Sequence, residues 1–126
     1  MLIADDSKVL RTRLVEMLSE IQGLTVVGQA EEAAEAVAAV EKLNPDVVIM
    51  DIRMPGGGGI KALEAIKQNK LKPLIIILTN YPFPQYRRTC MERGADYFFS
   101  KSTEMEYLME TLQKMADKRK TQKNDA

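Results

Sequence analysis

A chain of 126 residues that is 45% apolar and 29% charged has the size and composition of a single globular domain with a core of its own. Basic and acidic residues balance at 18 each, which excludes a general affinity for nucleic acid or anionic lipid, and the absence of histidine excludes histidine-based catalysis within the chain. The longest aliphatic run, Leu74 to Leu78, is too short to cross a bilayer, no signal peptide stands at the start, and the lone Cys90 predicts a reducing, cytoplasmic setting.

In chain order, Met1-Leu2-Ile3-Ala4 predicts a first strand, short at its amino end, and Ser7 after Asp5-Asp6 is a good N-cap for the next helix. That helix carries Leu10, Leu14, Met17, Leu18 and Ile21 as a stripe of 3.6-residue period, and Gly23 stops it. Leu24 to Gln29 reads as a second strand near a sheet edge, because polar residues interrupt it. Glu31 to Leu43 is an alanine-rich helix whose acidic first turn suits its dipole, and Asn44-Pro45 ends it. Asp46 to Met50 is short, apolar and rich in β-branched residues, the mark of a strand buried on both faces. Asp51 ends it, and Pro55 with the glycines at 56–59 builds a permissive turn.

A third helix follows over Ile60 to Lys70, with Ile60, Leu63 and Ile66 facing inward. Pro73 introduces Leu74 to Thr79, the most hydrophobic strand. Asn80-Tyr81-Pro82-Phe83-Pro84 is a stiff connection to a fourth helix, about Gln85 to Arg93, which has the weakest amphipathic pattern. Gly94 closes that helix, and Ala95 to Ser100 is the fifth strand. Thr103 with Glu106 has the form of a capping box, and the last helix carries Met105, Leu108, Met109, Leu112, Met115 and Ala116 at helical spacing, the methionines as core filling. The domain is expected to span 1–116, with 117–126 a polar, disordered tail.

Strands alternating with helices predict an α/β fold: a doubly wound, five-stranded parallel sheet, flavodoxin-like, in the order 2-1-3-4-5. That order makes strands one and three neighbours at the topological switch point, where such sheets bind ligands. Asp5, Asp6 and Asp51 would then crowd together, with Thr79 and Lys101 at the ends of strands four and five. Two unit charges about 4 Å apart repel by roughly 4 kcal/mol at an effective dielectric near 20. Lys101 and a bound cation offset that, and a site of few oxygen ligands with room for water suits Mg²⁺. Acids, a hydroxyl, an amine and a divalent ion make a phosphoryl site in which one carboxylate can act as nucleophile.

From about Leu2 to Met115 the chain resembles a response-regulator receiver domain of two-component signalling, including receivers of helix-turn-helix transcription regulators. The resemblance is carried by Asp5-Asp6, by Asp51-Ile52-Arg53-Met54-Pro55 with Gly59 closing the loop, and by Thr79 and Lys101. It implies that Asp51 accepts a phosphoryl group from a histidine kinase or phosphotransfer protein. It implies Asp6, Asp51 and the Arg53 backbone carbonyl as Mg²⁺ ligands, with Asp5 acting through water. Thr79 and Lys101 would read the phosphoryl group, Phe98 stands at the family's switch position, and the face of helix four, strand five and helix five would report, with a homodimer through it as an option. Arg53, Asn80 and Tyr81 flank the phosphoacceptor as modulators of lifetime.

The chain departs from the family where Ser102 replaces the usual proline after the lysine, where Asn80 replaces a small residue, and where Phe98 lacks a hydroxyl. The short first strand reads as if a few starting residues were missing. A haloacid-dehalogenase-like phosphatase would want a second acid where Arg53 stands. A receiver-like interaction domain that is never phosphorylated would be expected to lose an acid, and all three are kept. Too few residues follow the last helix for a DNA-binding module, so the chain is either a stand-alone receiver or the receiver of a longer DNA-binding regulator, with no direct nucleic-acid contact of its own.

Overall fold

The protein is seen as a computed structural model that describes residues 1–124, with side chains described through Arg119. Strands β1 (Leu2–Ala4), β2 (Gly28–Ala30), β3 (Val47–Met50), β4 (Leu74–Thr79) and β5 (Tyr97–Ser100) form one parallel sheet in the order β2-β1-β3-β4-β5. Helices α1 (Lys8–Ser19), α2 (Ala33–Leu43), α3 (Gly59–Lys67), α4 (Pro84–Glu92) and α5 (Met105–Asn124) alternate with them. The predicted fold class and strand order are both observed.

The period-2 alternation of the strands builds two cores. Leu2, Ala4, Val48, Met50, Ile75 and Ile77 face α2, α3 and α4, where Ala36, Val40, Leu63, Ile66 and Cys90 meet them. Ile3, Val47, Ile49, Ile76 and Leu78 face α1 and α5, where Leu14, Leu18, Leu108, Leu112 and Ala116 close the other side. With apolar layers on both faces, the sheet leaves only its edges open, and the polar residues concentrate at the carboxyl ends of the strands.

Several boundaries differ from the sequence expectation. Strand β2 starts at Gly28 rather than Leu24, because its partner β1 offers only Leu2, Ile3 and Ala4 to pair with Gly28, Gln29 and Ala30. Helix α3 ends at Lys67, and Gln68 caps it. Helix α5 begins at Met105, and its first bond runs from the Leu108 N–H to the Glu104 carbonyl, so Glu104 occupies the cap position and Thr103 lies before it. The Glu104 carboxylate instead accepts from the Ser100 N–H at 3.0 Å.

The expected disordered tail is also corrected, since α5 runs on to Asn124. Lysine, arginine and glutamine are good helix formers, no glycine or proline intervenes, and a helix already nucleated on the core gains a bond for each residue added. Asp125 and Ala126 lie outside the described residues. No described helix is long and apolar enough to cross a membrane.

Candidate functional site

The register of β1 against β3 pairs Ala4 with Met50, so the residues that follow, Asp5 and Asp51, leave the sheet side by side. The Asp51 N–H donates to the Ala4 carbonyl at 3.0 Å and fixes that adjacency. Ligand oxygens of Asp5, Asp6 and Asp51 lie within 4.8 Å of one another. Asp5 and Asp51 are buried, at 3% and 4% exposure, while Asp6 faces solvent. From the end of β5, Lys101 places its Nζ 2.6 Å from Asp5 Oδ2 and 2.8 Å from Asp51 Oδ2.

Each side chain is held by its own turn. The Ser7 N–H donates to Asp5 Oδ1 at 2.9 Å, and the Arg53 N–H donates to Asp51 Oδ1 at 3.1 Å. Both are two-residue side-chain turns of the kind aspartate favours where a strand ends. Thr79, fully buried at the end of β4, accepts the Tyr81 N–H on its Oγ1 at 3.1 Å, and its carbonyl accepts the Lys101 N–H at 2.9 Å. Gly59 is required by close approach, since a Cβ there would overlap the Ile52 carbonyl. Gly56, Gly57 and Gly58 all have positive φ, at 86°, 69° and 78°, which lets the loop fold back in so few residues.

The electrostatics follow from burial. Desolvation raises the Asp5 carboxyl above its ordinary range; the hydrogen bonds from Lys101 and Ser7 oppose this, and the Asp51 charge adds to it. Burial pulls the Lys101 ammonium down, but its hydrogen bonds to Asp5 and Asp51 and their charges outweigh that and leave it raised. Lys101 therefore keeps its proton and serves as resident counter-ion. An all-oxygen donor set with one acid open to solvent fits a hard divalent cation that retains water, so Mg²⁺ suits these residues.

The three residues expected to modulate lifetime lie on the loops after β3 and β4. Arg53, Asn80 and Tyr81 are exposed, and the Arg53 guanidinium lies 4.3 Å from the centre of the Tyr81 ring. Tyr81 leads on through Phe83, 6.5 Å away, to Tyr86 on α4, a further 5.9 Å. Phe98 is only 3% exposed and lies in the core with Cys90 and Ala95. The ring at the family's switch position thus occupies the interior.

Sequence reading missed Arg11. It is 5% exposed and donates from Nη1 to the Asp5 carbonyl at 2.6 Å. The available signal was its spacing, since Arg11, Leu14 and Leu18 are the buried positions of α1 and the arginine completes the inward stripe.

A doubly wound sheet that gathers Asp5, Asp6, Asp51 and Lys101 at its switch point is a flavodoxin-like domain with an acidic ligand pocket. The comparisons give the family: residues 1–113 match the response regulator receiver domain, and the chain belongs to it. It is 30% identical over 114 residues to the response regulator GacA of Pseudomonas aeruginosa, covering 90% of this chain and 53% of that protein. It is also 30% identical over 115 residues to the nitrate/nitrite response regulator NarL of Escherichia coli, covering 91% of this chain and 53% of that protein. The chain therefore spans about half the length of these curated relatives. A DNA-binding response regulator of the LuxR family from Staphylococcus aureus superposes with a TM-score of 0.81 at 30% identity, over 91% of this chain and 96% of that one. Receiver domains are signalling domains of two-component systems rather than conventional enzymes, and they bind Mg²⁺ at an acidic pocket and meet histidine kinases or phosphotransfer proteins.

Proposed function

We propose that this receiver is a phosphoacceptor in which Asp51 takes a phosphoryl group from a histidine kinase or phosphotransfer protein. The observation that carries the reading is the buried Asp51 carboxylate held between Lys101 and the other two acids. A carboxylate oxygen of Asp51 forms the new O–P bond as the P–N bond of the donor phosphohistidine breaks, and the electron pair stays with the imidazole nitrogen. Lys101 Nζ, already 2.8 Å from Asp51, neutralises charge on the phosphoryl oxygens, and the Thr79 hydroxyl donates to one of them. Asp6, Asp51 and the Arg53 carbonyl would hold Mg²⁺, with Asp5 reached through water, and the ion would supply further charge neutralisation at the transferring group.

Incubation with a small phosphodonor and Mg²⁺ should add one phosphoryl group by intact mass, and Asp51→Asn should take up none. Equal labelling of that variant would overturn the assignment. We further propose that this receiver is part of a longer DNA-binding regulator, a reading supported by curated relatives that extend well beyond the matched region and by a similar structure from a DNA-binding response regulator. The α4–β5–α5 face is its reporting surface and the candidate homodimer contact. Burial pushes the Cys90 thiol up to about 11, an inert thiol suited to a reducing cytoplasm.

A further inference from the structure

Arg11 is a buried charge that the phosphoryl chemistry does not use. Its guanidinium divides among three acceptors: Nη1 to the Asp5 carbonyl at 2.6 Å, Nε to Gln29 Oε1 at 3.0 Å and Nη2 to Glu31 Oε1 at 3.0 Å. The Glu31 side chain is 63% exposed, so the ion pair lies toward water and the backbone contact lies inside. That inner contact is the shortest of the three. The carbonyl it holds belongs to the peptide plane joining Asp5 to Asp6, and a rigid plane transmits the constraint to both residues. On the other side of Asp5, its N–H donates to the Ala30 carbonyl at 2.9 Å. The acid pair is thus fixed from β2 and from α1, with Arg11 bridging the two.

We propose that Arg11 is a positioning residue for the divalent cation, setting the direction of the Asp6 carboxylate by holding the Asp5–Asp6 peptide plane. The inference rests on the metal reading given above. A purely structural role, tethering α1 to the end of β2, would lower the stability of the metal-free protein and leave the Mg²⁺ affinity of the folded protein unchanged. A positioning role moves the affinity itself, as outer partners of metal ligands do.

The test is calorimetric titration of Mg²⁺ into the full chain, at a temperature where metal-free unfolding shows every variant to be folded. Arg11→Ala should bind Mg²⁺ about tenfold more weakly than wild type. Arg11→Lys, which keeps the charge but loses the forked donors, should show a smaller loss in the same direction. Leu18→Ala, a core change in the same helix, should lose stability but keep wild-type affinity. Wild-type affinity in Arg11→Ala, or in Arg11→Lys if the alanine variant does not fold, overturns the inference, as does an equal loss in Leu18→Ala. Wild-type protein that binds no Mg²⁺ overturns the inference together with the metal assignment, whereas an affected Leu18→Ala overturns the inference alone.

Discussion

In the acid pocket, Asp5 and Asp51 are buried, and each lies within 2.8 Å of the largely enclosed Lys101 Nζ. Above it, on the loops after β3 and β4, Arg53 and Tyr81 stand in solvent and meet only by a cation–π contact at 4.3 Å. The first arrangement is over-determined: each carboxylate has an ammonium and a backbone N–H, so its position barely depends on the rest of the surface. The second is a single weak contact, worth about 0.5–1 kcal/mol at an exposed site, and small changes can rearrange it. On the proposed function, the rigid region would hold the chemistry, and the adjustable one would set lifetime and reporting.

The largest effect is expected from breaking the rigid region. Lys101→Met leaves two buried carboxylates without their counter-ion and should cost about 3 kcal/mol of stability at neutral pH, by denaturant unfolding. The pH dependence carries a sign. The folded Lys101 pKa is raised above 10.5, so its stabilisation is complete below that pH and is lost as pH rises through the folded value. Wild type should therefore lose stability above about pH 10.5 more steeply than Lys101→Met. Asp5 acts in the same sense at the acid end: its folded pKa is raised above 3.8, so its contribution falls as pH rises from that value. Comparing wild type with Asp5→Asn across the acid range should isolate that fall, and parallel curves would contradict it.

A smaller effect is expected from the exposed contact. Phosphoryl loss would need water to approach in line with the Asp51 oxygen, and we propose that Arg53 with Tyr81 screens that approach. The double variant Arg53→Asn, Tyr81→Ala should lose its phosphoryl group about two- to fivefold faster than wild type, the factor equivalent to the cation–π energy. Unchanged decay would remove the screening role. The smallest signal is expected furthest away: α4 buries only Cys90, so it is lightly anchored, and amide exchange over 85–112 should change when beryllofluoride occupies the site. Changes confined to the neighbourhood of Asp51 would mean that the aromatic series Tyr81, Phe83 and Tyr86 does not carry the signal.

Much of the rigid region was legible in sequence because it rests on local rules. Buried strands are short apolar runs, and the polar residue that ends each run must lie at one edge of a parallel sheet, so Asp5, Asp51, Thr79 and Lys101 could be brought together from order alone. What could not be read depends on partners. The length of β2 is set by the three residues of β1, not by the valines that precede Gly28. The helical course of 117–124 depends on α5 already being docked through Leu108, Leu112 and Ala116. The role of Arg11 could not be read from its helix alone, because its side-chain acceptors sit 18 and 20 residues away at Gln29 and Glu31. The burial of the Phe98 ring depends on the cluster it shares with Cys90 and Ala95, which the strand pattern alone does not give.

On the proposed function, Asp51 carries the phosphoryl group. Reducing the labelled protein with borohydride converts an aspartyl-phosphate to homoserine, and peptide mass spectrometry then locates the converted residue. The predicted result is conversion at Asp51 alone, dependent on both phosphodonor and Mg²⁺. Conversion at Asp5 or Asp6, or none in protein that has gained a phosphoryl group, would contradict it.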